Sequence, residues 1–281
     1  MIRILTDSTA DLPSSLQGNA RVAIIPLKVV TPQKTYLDRV DLNGEQFLNL
    51  LKTSATLPTT SQPSAGEFQT KYQEMLKADP DPILSIHISS GLSGTISSTH
   101  AALEAMPGAP ITVFDSLCTS MGLGMMVQQA VKALDAGQPL AEVVKMLEKM
   151  RETMAISFVV DTLEYLQKGG RIGKAAALMG TLLNVKPVLT LTGGLIEPLD
   201  KARSKRKGLE RAMGYIEEKV GTSRPILVGI VHLEAREEAE GVREAMSRRF
   251  TCADSFVAEL SPVIGTHAGP GVVGIGGCPL P

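Results

Sequence analysis

Tryptophan is absent from this chain of 281 residues, and aromatic residues make up only 4% of it. A platform that stacks nucleic-acid bases needs several such rings, so that class of binder is disfavoured. Charge of one sign is also lacking. The formal net charge is −1, which exerts no general pull on nucleic acid or an anionic membrane. Cysteine is scarce: Cys118, Cys252 and Cys278 are odd in number, far apart and without metal-ligand spacing. They read as reduced, mostly buried thiols of a cytoplasmic protein. Long apolar runs are missing as well. None approaches the roughly 20 residues that cross a bilayer, so stable membrane insertion is not expected. The opening stretch, MIRILTDSTADLP, reads as strand and turn rather than as a secretory leader.

The composition itself is that of a globular protein, 43% hydrophobic and 20% charged. The length predicts a large core and two domains. With so few aromatics, an apolar ligand would be held by aliphatic side chains and by the 12 methionines.

The chain is organised around residues 83–99, ILSIHISSGLSGTISST. An apolar strand feeds a helix through a turn of small and hydroxyl residues. Such a turn gathers free N–H groups and hydroxyls at the positive end of a helix dipole, where a phosphate or carboxylate can sit. Around it, strand and helix patterns alternate up to about residue 154, which predicts a parallel sheet covered on both faces. The segment 22–30 reads as one strand, residues 11–13 as a helix start, and Ser64 with Glu67 as the capping box of a helix reaching Ala78. Beyond residue 155 the pattern changes. A hairpin turning at 192–194 mixes with charged helices, which predicts an α+β unit with a mixed sheet. The expected division is 1–155 and 156–281.

Three constellations could carry chemistry. The first is Ser93 within Gly91-Leu92-Ser93-Gly94-Thr95. It resembles a nucleophile elbow, but that motif needs glycine where Thr95 stands. A capping serine is the plainer reading, although the flanking glycines would let a ligand approach the backbone. The second is His267 in Gly265-Thr266-His267-Ala268-Gly269-Pro270-Gly271, read as a loop of small residues presenting an imidazole that could bond a carboxylate. His87, His100 and His232 lack such a setting. The third is basic: Lys201, Arg203, Lys205, Arg206, Lys207 and Arg211 crowd the start of a helix, where cations oppose the dipole. A solvated helix face is the plain reading there, and an acidic partner or phosphate the sharper one. Ser93 and His267, with Asp7 or Asp115 as a third member, could be drawn as a serine hydrolase. The same groups could instead grip a carboxylate and do nothing more.

Six stretches together resemble the DegV family of bacterial fatty-acid-binding proteins, almost from end to end. They are ILTDSTADLP at 4–13, TSQPS at 60–64, SSGLSGT at 89–95, VFDS at 113–116, KGGRI at 168–172 and GTHAGPG at 265–271. The resemblance implies an α/β protein with one long-chain fatty acid buried between an N-terminal, mostly parallel domain and a C-terminal α+β domain. It implies that Thr60, Ser61, Ser93 and His267 hold the carboxylate, with Gly94, Thr95 and Thr266 beside them. Some members present the acid to a fatty acid kinase for phospholipid synthesis, and arginines matching Arg171 and Arg203 lie at the portal or kinase-facing surface. The resemblance thus implies a non-catalytic lipid-binding protein without cofactor or metal. The Met-rich segments 121–127 and 175–183 are candidates to line the acyl chain.

Overall fold

The computed structural model describes residues 1–179 and 185–280. In chain order its elements are β1 (Arg3–Asp7), β2 (Val22–Ile25), β3 (Lys28–Val30), β4 (Thr35–Leu37), α1 (Gly44–Thr53), β5 (Thr59–Ser61), α2 (Ala65–Ala78), β6 (Ile83–His87), α3 (Thr95–Glu104), β7 (Ile111–Asp115), α4 (Ser120–Asp135) and α5 (Leu140–Thr153). There follow β8 (Ala155–Val159), α6 (Glu164–Lys168), β9 (Lys186–Thr192), β10 (Leu195–Ala202), α7 (Lys205–Val220), β11 (Ile226–His232), α8 (Arg236–Arg249), β12 (Cys252–Glu259), α9 (Pro262–Ala268) and β13 (Val273–Pro279).

The first sheet, β2-β1-β6-β7, is parallel throughout. Its strands alternate between two buried faces. Leu5 and Ile83 pack under Phe68 and Tyr72 of α2 and Ala102 of α3. Ile4, Leu84 and Ile86 face α4 and α5 on the other side. The second sheet, β10-β9-β8-β13-β11-β12, is mixed, with β11 and β12 its parallel pair. One face, through Val159, Val228, Ile230 and Ile275, packs on α7 and α8. Leu227 and Cys278 turn the other way and join the core of the first sheet across α4. The layers therefore run helix, sheet, helix, sheet, helix. The middle helix, α4, is buried along nearly its whole length, and its sequence is accordingly mostly apolar. It approaches the second sheet over glycines. A β-carbon at Gly229 would lie 2.9 Å from Met121, and one at Gly276 would lie 2.8 Å from Met125. A small antiparallel sheet, β4-β3-β5, covers one end.

The α/β expectation holds, with a parallel first sheet and a mixed second one. So does the α2 capping box, Ser64 with Glu67. Four local expectations change. The strand expected over 22–30 breaks at Pro26, which has no N–H to donate, and its halves join different sheets. The helix start at 11–13 yields only a short 3-10 turn, Ser14–Leu16. The described part of 175–183 belongs to a 3-10 turn, Gly173–Leu178, and residues 180–183 of that expectation lie outside the described residues. The supposed His267 loop is helical. Ser261 caps α9, Pro262 fills its first position, and Gly269 ends it at φ 77°.

Candidate functional site

The chain leaves β1 toward β2 and leaves β6 toward β7, in opposite directions along the sheet. The connections therefore part at the carboxyl ends of β1 and β6, where open α/β sheets leave a crevice. Ile88, just past β6, lies in the wall of a cavity of about 920 Å³ that opens there. Ser93 continues that wall. Ile156, Phe158, Val231 and Gly274 close it from the second sheet, so the cavity lies between the two sheets. Leu27, Leu166, Leu191, Ile196, Leu260, Val263 and Ile264 complete a wall that is mostly aliphatic.

One group of wall residues is polar. Thr60 arrives on β5, Ser93 on the turn into α3, and His267 in the last turn of α9. The Thr60 Oγ1 lies 2.7 Å from His267 Nε2. The other ring nitrogen, Nδ1, is buried without a partner among the described residues, and a β-carbon at Gly169 would strike it. Burial, and then the nearby Arg171 guanidinium, lower the His267 pKa to about 4. The ring is therefore neutral at pH 7. Ser93 Oγ lies 2.8 Å from Thr95 Oγ1 and accepts the Thr95 N–H at 3.3 Å. Arg171 spans the two layers, donating from Nε to the Leu92 carbonyl at 3.1 Å and from Nη1 to Gly169 at 2.9 Å. Ser61 is an exposed wall residue.

Thr60, Ser61, Ser93, Arg171 and His267 thus meet in one cavity, whereas Gly94, Thr95, Thr266 and Arg203 are not in its wall. Thr95 is buried behind Ser93. Thr266 turns its hydroxyl back to the Pro262 carbonyl at 2.8 Å. Arg203 is exposed at the end of β10. The glycines around Ser93 have a different reason from the expected one. A β-carbon at Gly91 would lie 2.7 Å from the Gly194 carbonyl, and one at Gly94 would lie 2.6 Å from the Gln62 side chain. Both make room for protein rather than for a ligand. Of the Met-rich segments, Met121 is in the wall, while Met125 and Met126 belong to the core between the sheets.

The parts of a hydrolase triad do not assemble. Asp7 is buried against His87, with Oδ2 3.0 Å from Nδ1, and it also accepts the Ile88 N–H. Asp115 holds the N–H groups of Leu117 and Ser90. His267 has no carboxylate at Nδ1. Among the described residues no group of three His, Cys, Asp or Glu is placed to hold a metal, and no helix is long and apolar enough to cross a membrane.

Three polar wall residues, Gln62, Thr119 and Ser120, escaped the sequence reading. Gln62 stands between Ser61 and Pro63 with its side chain over Gly94. Thr119, at the start of α4, has a buried hydroxyl without a partner among the described residues. Its signal was the run Asp115-Ser116-Leu117-Cys118-Thr119-Ser120, a second hydroxyl-bearing turn from a parallel strand into a helix.

Fold and cavity together define a class: α/β proteins with two sheets on either side of a largely apolar interior pocket that carries a hydroxyl and imidazole cluster. Within that class the chain belongs to the DegV family, whose model, described as "Uncharacterised protein, DegV family", matches residues 1–280. It is 35% identical to Protein DegV of Bacillus subtilis over 278 residues, 99% of each chain. Its fold is that of a fatty-acid-binding DegV family protein from Thermus thermophilus, with a TM-score of 0.94 and 37% identity over 99% of both chains. It is likewise similar to the structure of the fatty acid binding protein DegV from Bacillus subtilis, with a TM-score of 0.88, 35% identity and 99% of each chain covered.

Proposed function

We propose that this protein binds one long-chain fatty acid in the cavity between its sheets and performs no chemistry on it. The observation that carries this reading is the composition of the wall: mostly aliphatic around a space of about 920 Å³ that is partly open to solvent, with Thr60, Ser61, Ser93 and His267 on it. A buried carboxylate without donors costs several kcal/mol. With its proton on Nε2, the neutral His267 would donate to Thr60 Oγ1, 2.7 Å away, and free the Thr60 proton for the ligand. Ser93, Ser61 and Gln62 add donors within the same wall. Arg171, held across Leu92 and Gly169, supplies positive charge and has no ion pair among the described residues. The relatives from Thermus thermophilus and Bacillus subtilis, which bind fatty acids, support the same ligand.

The reading extends to a cytoplasmic protein that presents its acid to a fatty acid kinase, with Arg171 at the portal and Arg203 on the docking face. Arg203, Arg206 and Lys207 are exposed around the start of α7, and a partner with acidic groups would relieve their opposition to the helix dipole. The division of the chain at residue 155 is part of the same proposal, since β8 opens the second sheet there. Native mass spectrometry of the purified protein, followed by denaturation and lipid analysis, tests the ligand. A one-to-one mass addition resolving into free fatty acids is expected. Protein that stays at its bare mass when incubated with a long-chain acid would overturn the reading. Arg203→Glu is expected to leave acid binding unchanged and to weaken capture of a fatty acid kinase in a pull-down; equal capture would remove Arg203 from the docking face.

A further inference from the structure

Behind one side of the cavity lies a buried acidic cluster whose carboxyl groups are not in the wall. Asp11 and Asp38 are both buried, and Arg39 stands beside them. Asp38 accepts the Ser8 hydroxyl at 2.6 Å on Oδ2 and the Val263 N–H at 3.3 Å on Oδ1. Asp11 accepts the Ser261 N–H at 3.1 Å, the Ser120 hydroxyl and the Arg39 guanidinium. Arg39 also reaches the Glu259 carbonyl at 2.9 Å, and Ser8 accepts the Leu27 N–H at 3.0 Å. Leu27, Ser120, Leu260 and Val263 are all in the cavity wall. The bonds of the cluster therefore end on wall residues or on their chain neighbours. Val263 lies in the first turn of α9, and His267 lies in its last.

The partners of Asp38 suit only the charged form. A proton on Oδ1 would face the Val263 N–H, which cannot turn away. A proton on Oδ2 would face the Ser8 hydroxyl, which would have to reverse and find a new acceptor for its own hydrogen. We propose that ionised Asp38, locked in place by Asp11 and Arg39, is a positioning residue for α9 and the adjoining wall, so that the protein holds its ligand tightly with Asp38 charged and loosens its hold when Asp38 takes up a proton. This rests on the fatty-acid reading of the cavity.

Burial pushes the Asp38 carboxyl up to about 7 against the pull of Ser8 and Arg39, and Asp11 adds repulsion. The exchange therefore falls at physiological pH. The titratable and charged groups facing Asp38 are Asp11 from the first loop, whose own carboxyl burial raises against the pull of Arg39 and Ser120, and Arg39 from its own segment. Asp7, next to Ser8, is turned to His87. Toward Asp38, α9 presents the Val263 N–H. His267, at its other end, is neutral throughout this range.

The test is a pH series of dissociation constants for a fluorescent long-chain fatty acid. One linked proton with a midpoint near 7 weakens binding about tenfold between pH 8 and pH 6. Asp38→Asn keeps the shape but carries no proton to exchange. It is expected to flatten the profile and to bind at pH 8 about as weakly as the parent protein does at pH 6. The ionisation of the free acid is common to both proteins and cancels in the comparison. Ser8→Ala removes a donor to the charged form and is expected to move the parent midpoint to higher pH, which provides a readout independent of how Asp38→Asn folds. Coincident profiles for parent and Asp38→Asn, or an unmoved midpoint in Ser8→Ala, would overturn this inference and leave the cavity assignment standing. No binding by the parent protein at pH 8 would instead overturn the fatty-acid reading itself.

Discussion

At its polar cluster the cavity is walled by β5, the turn into α3 and the end of α9, drawn from positions as far apart as Thr60 and His267. Its opposite wall is a single sheet face, where Ile156, Phe158, Val231 and Gly274 sit on strands paired along their length. Hydrogen bonds between segments set the first region, and ladder register sets the second. The polar region can shift by small movements of helix ends, while the sheet wall cannot move without breaking strand pairs. On the proposed reading of the cavity, the difference would assign recognition of the head group to the movable region and the limit on tail size to the stiff one.

The largest expected effect comes from stripping the polar region. Ser93→Ala combined with His267→Ala removes a hydroxyl and the imidazole that orients Thr60. Hydrogen bonds to charged groups contribute about 1.5–3 kcal/mol each. The pair should weaken long-chain acid binding by roughly a hundredfold or more, measured by displacement of a fluorescent acid. The matching long-chain alcohol should lose much less. Unchanged affinity for the acid would mean that the head group lies elsewhere.

A smaller and selective effect is expected at the sheet wall. A β-carbon at Gly274 would lie 2.8 Å from Met121 Cε and 2.9 Å from Val231 Cγ2. Gly274→Val should fill wall space on a paired strand, where the end of the Met121 side chain can give way but the backbone cannot. Overpacking of this kind costs about 1–3 kcal/mol, so the longest acids should bind roughly tenfold or more weakly and short ones nearly as before. Dissociation constants across saturated acids of increasing length check it. An equal loss at every length would show that the sheet wall does not limit the tail.

How much of this was open to sequence reading follows from how local each cause is. The capping box of α2 needs only Ser64 and Glu67, and the alternation of strand and helix announced the parallel sheet. The helix that carries His267 was also marked, since Ser261 and Pro262 form a cap followed by proline at the first helical position. The many small residues after them hid that signal. The spacing of glycines around Ser93 was visible, but its cause was not. Gly91 is small because the hairpin carbonyl at Gly194 lies against it, and no local pattern links positions so far apart. Asp11 read as part of a helix start and Asp38 as part of a polar, turn-rich stretch for the same reason. Their burial comes from Ser261 and Val263, more than 200 residues further along the chain.

The smallest expected effect lies at the seam between the two regions. Ser89 is buried at the end of β6, and its hydroxyl donates to the Gly194 carbonyl at 2.8 Å, across 105 residues of sequence. The same oxygen accepts the Gly91 N–H at 3.1 Å. Together with the Arg171 bond to Leu92, this contact fastens the Ser93 turn to the second sheet. Ser89→Ala removes one tie and leaves the ligand's own donors in place. A neutral hydrogen bond contributes about 1 kcal/mol net, or roughly a fivefold change in an equilibrium. If the tie is broken when the cavity opens, the acid should leave about fivefold faster while its rate of entry changes little. Stopped-flow release into excess lipid vesicles measures this directly. An unchanged release rate would show that the seam stays closed during exchange, and that ligand passes by movement of the polar region alone.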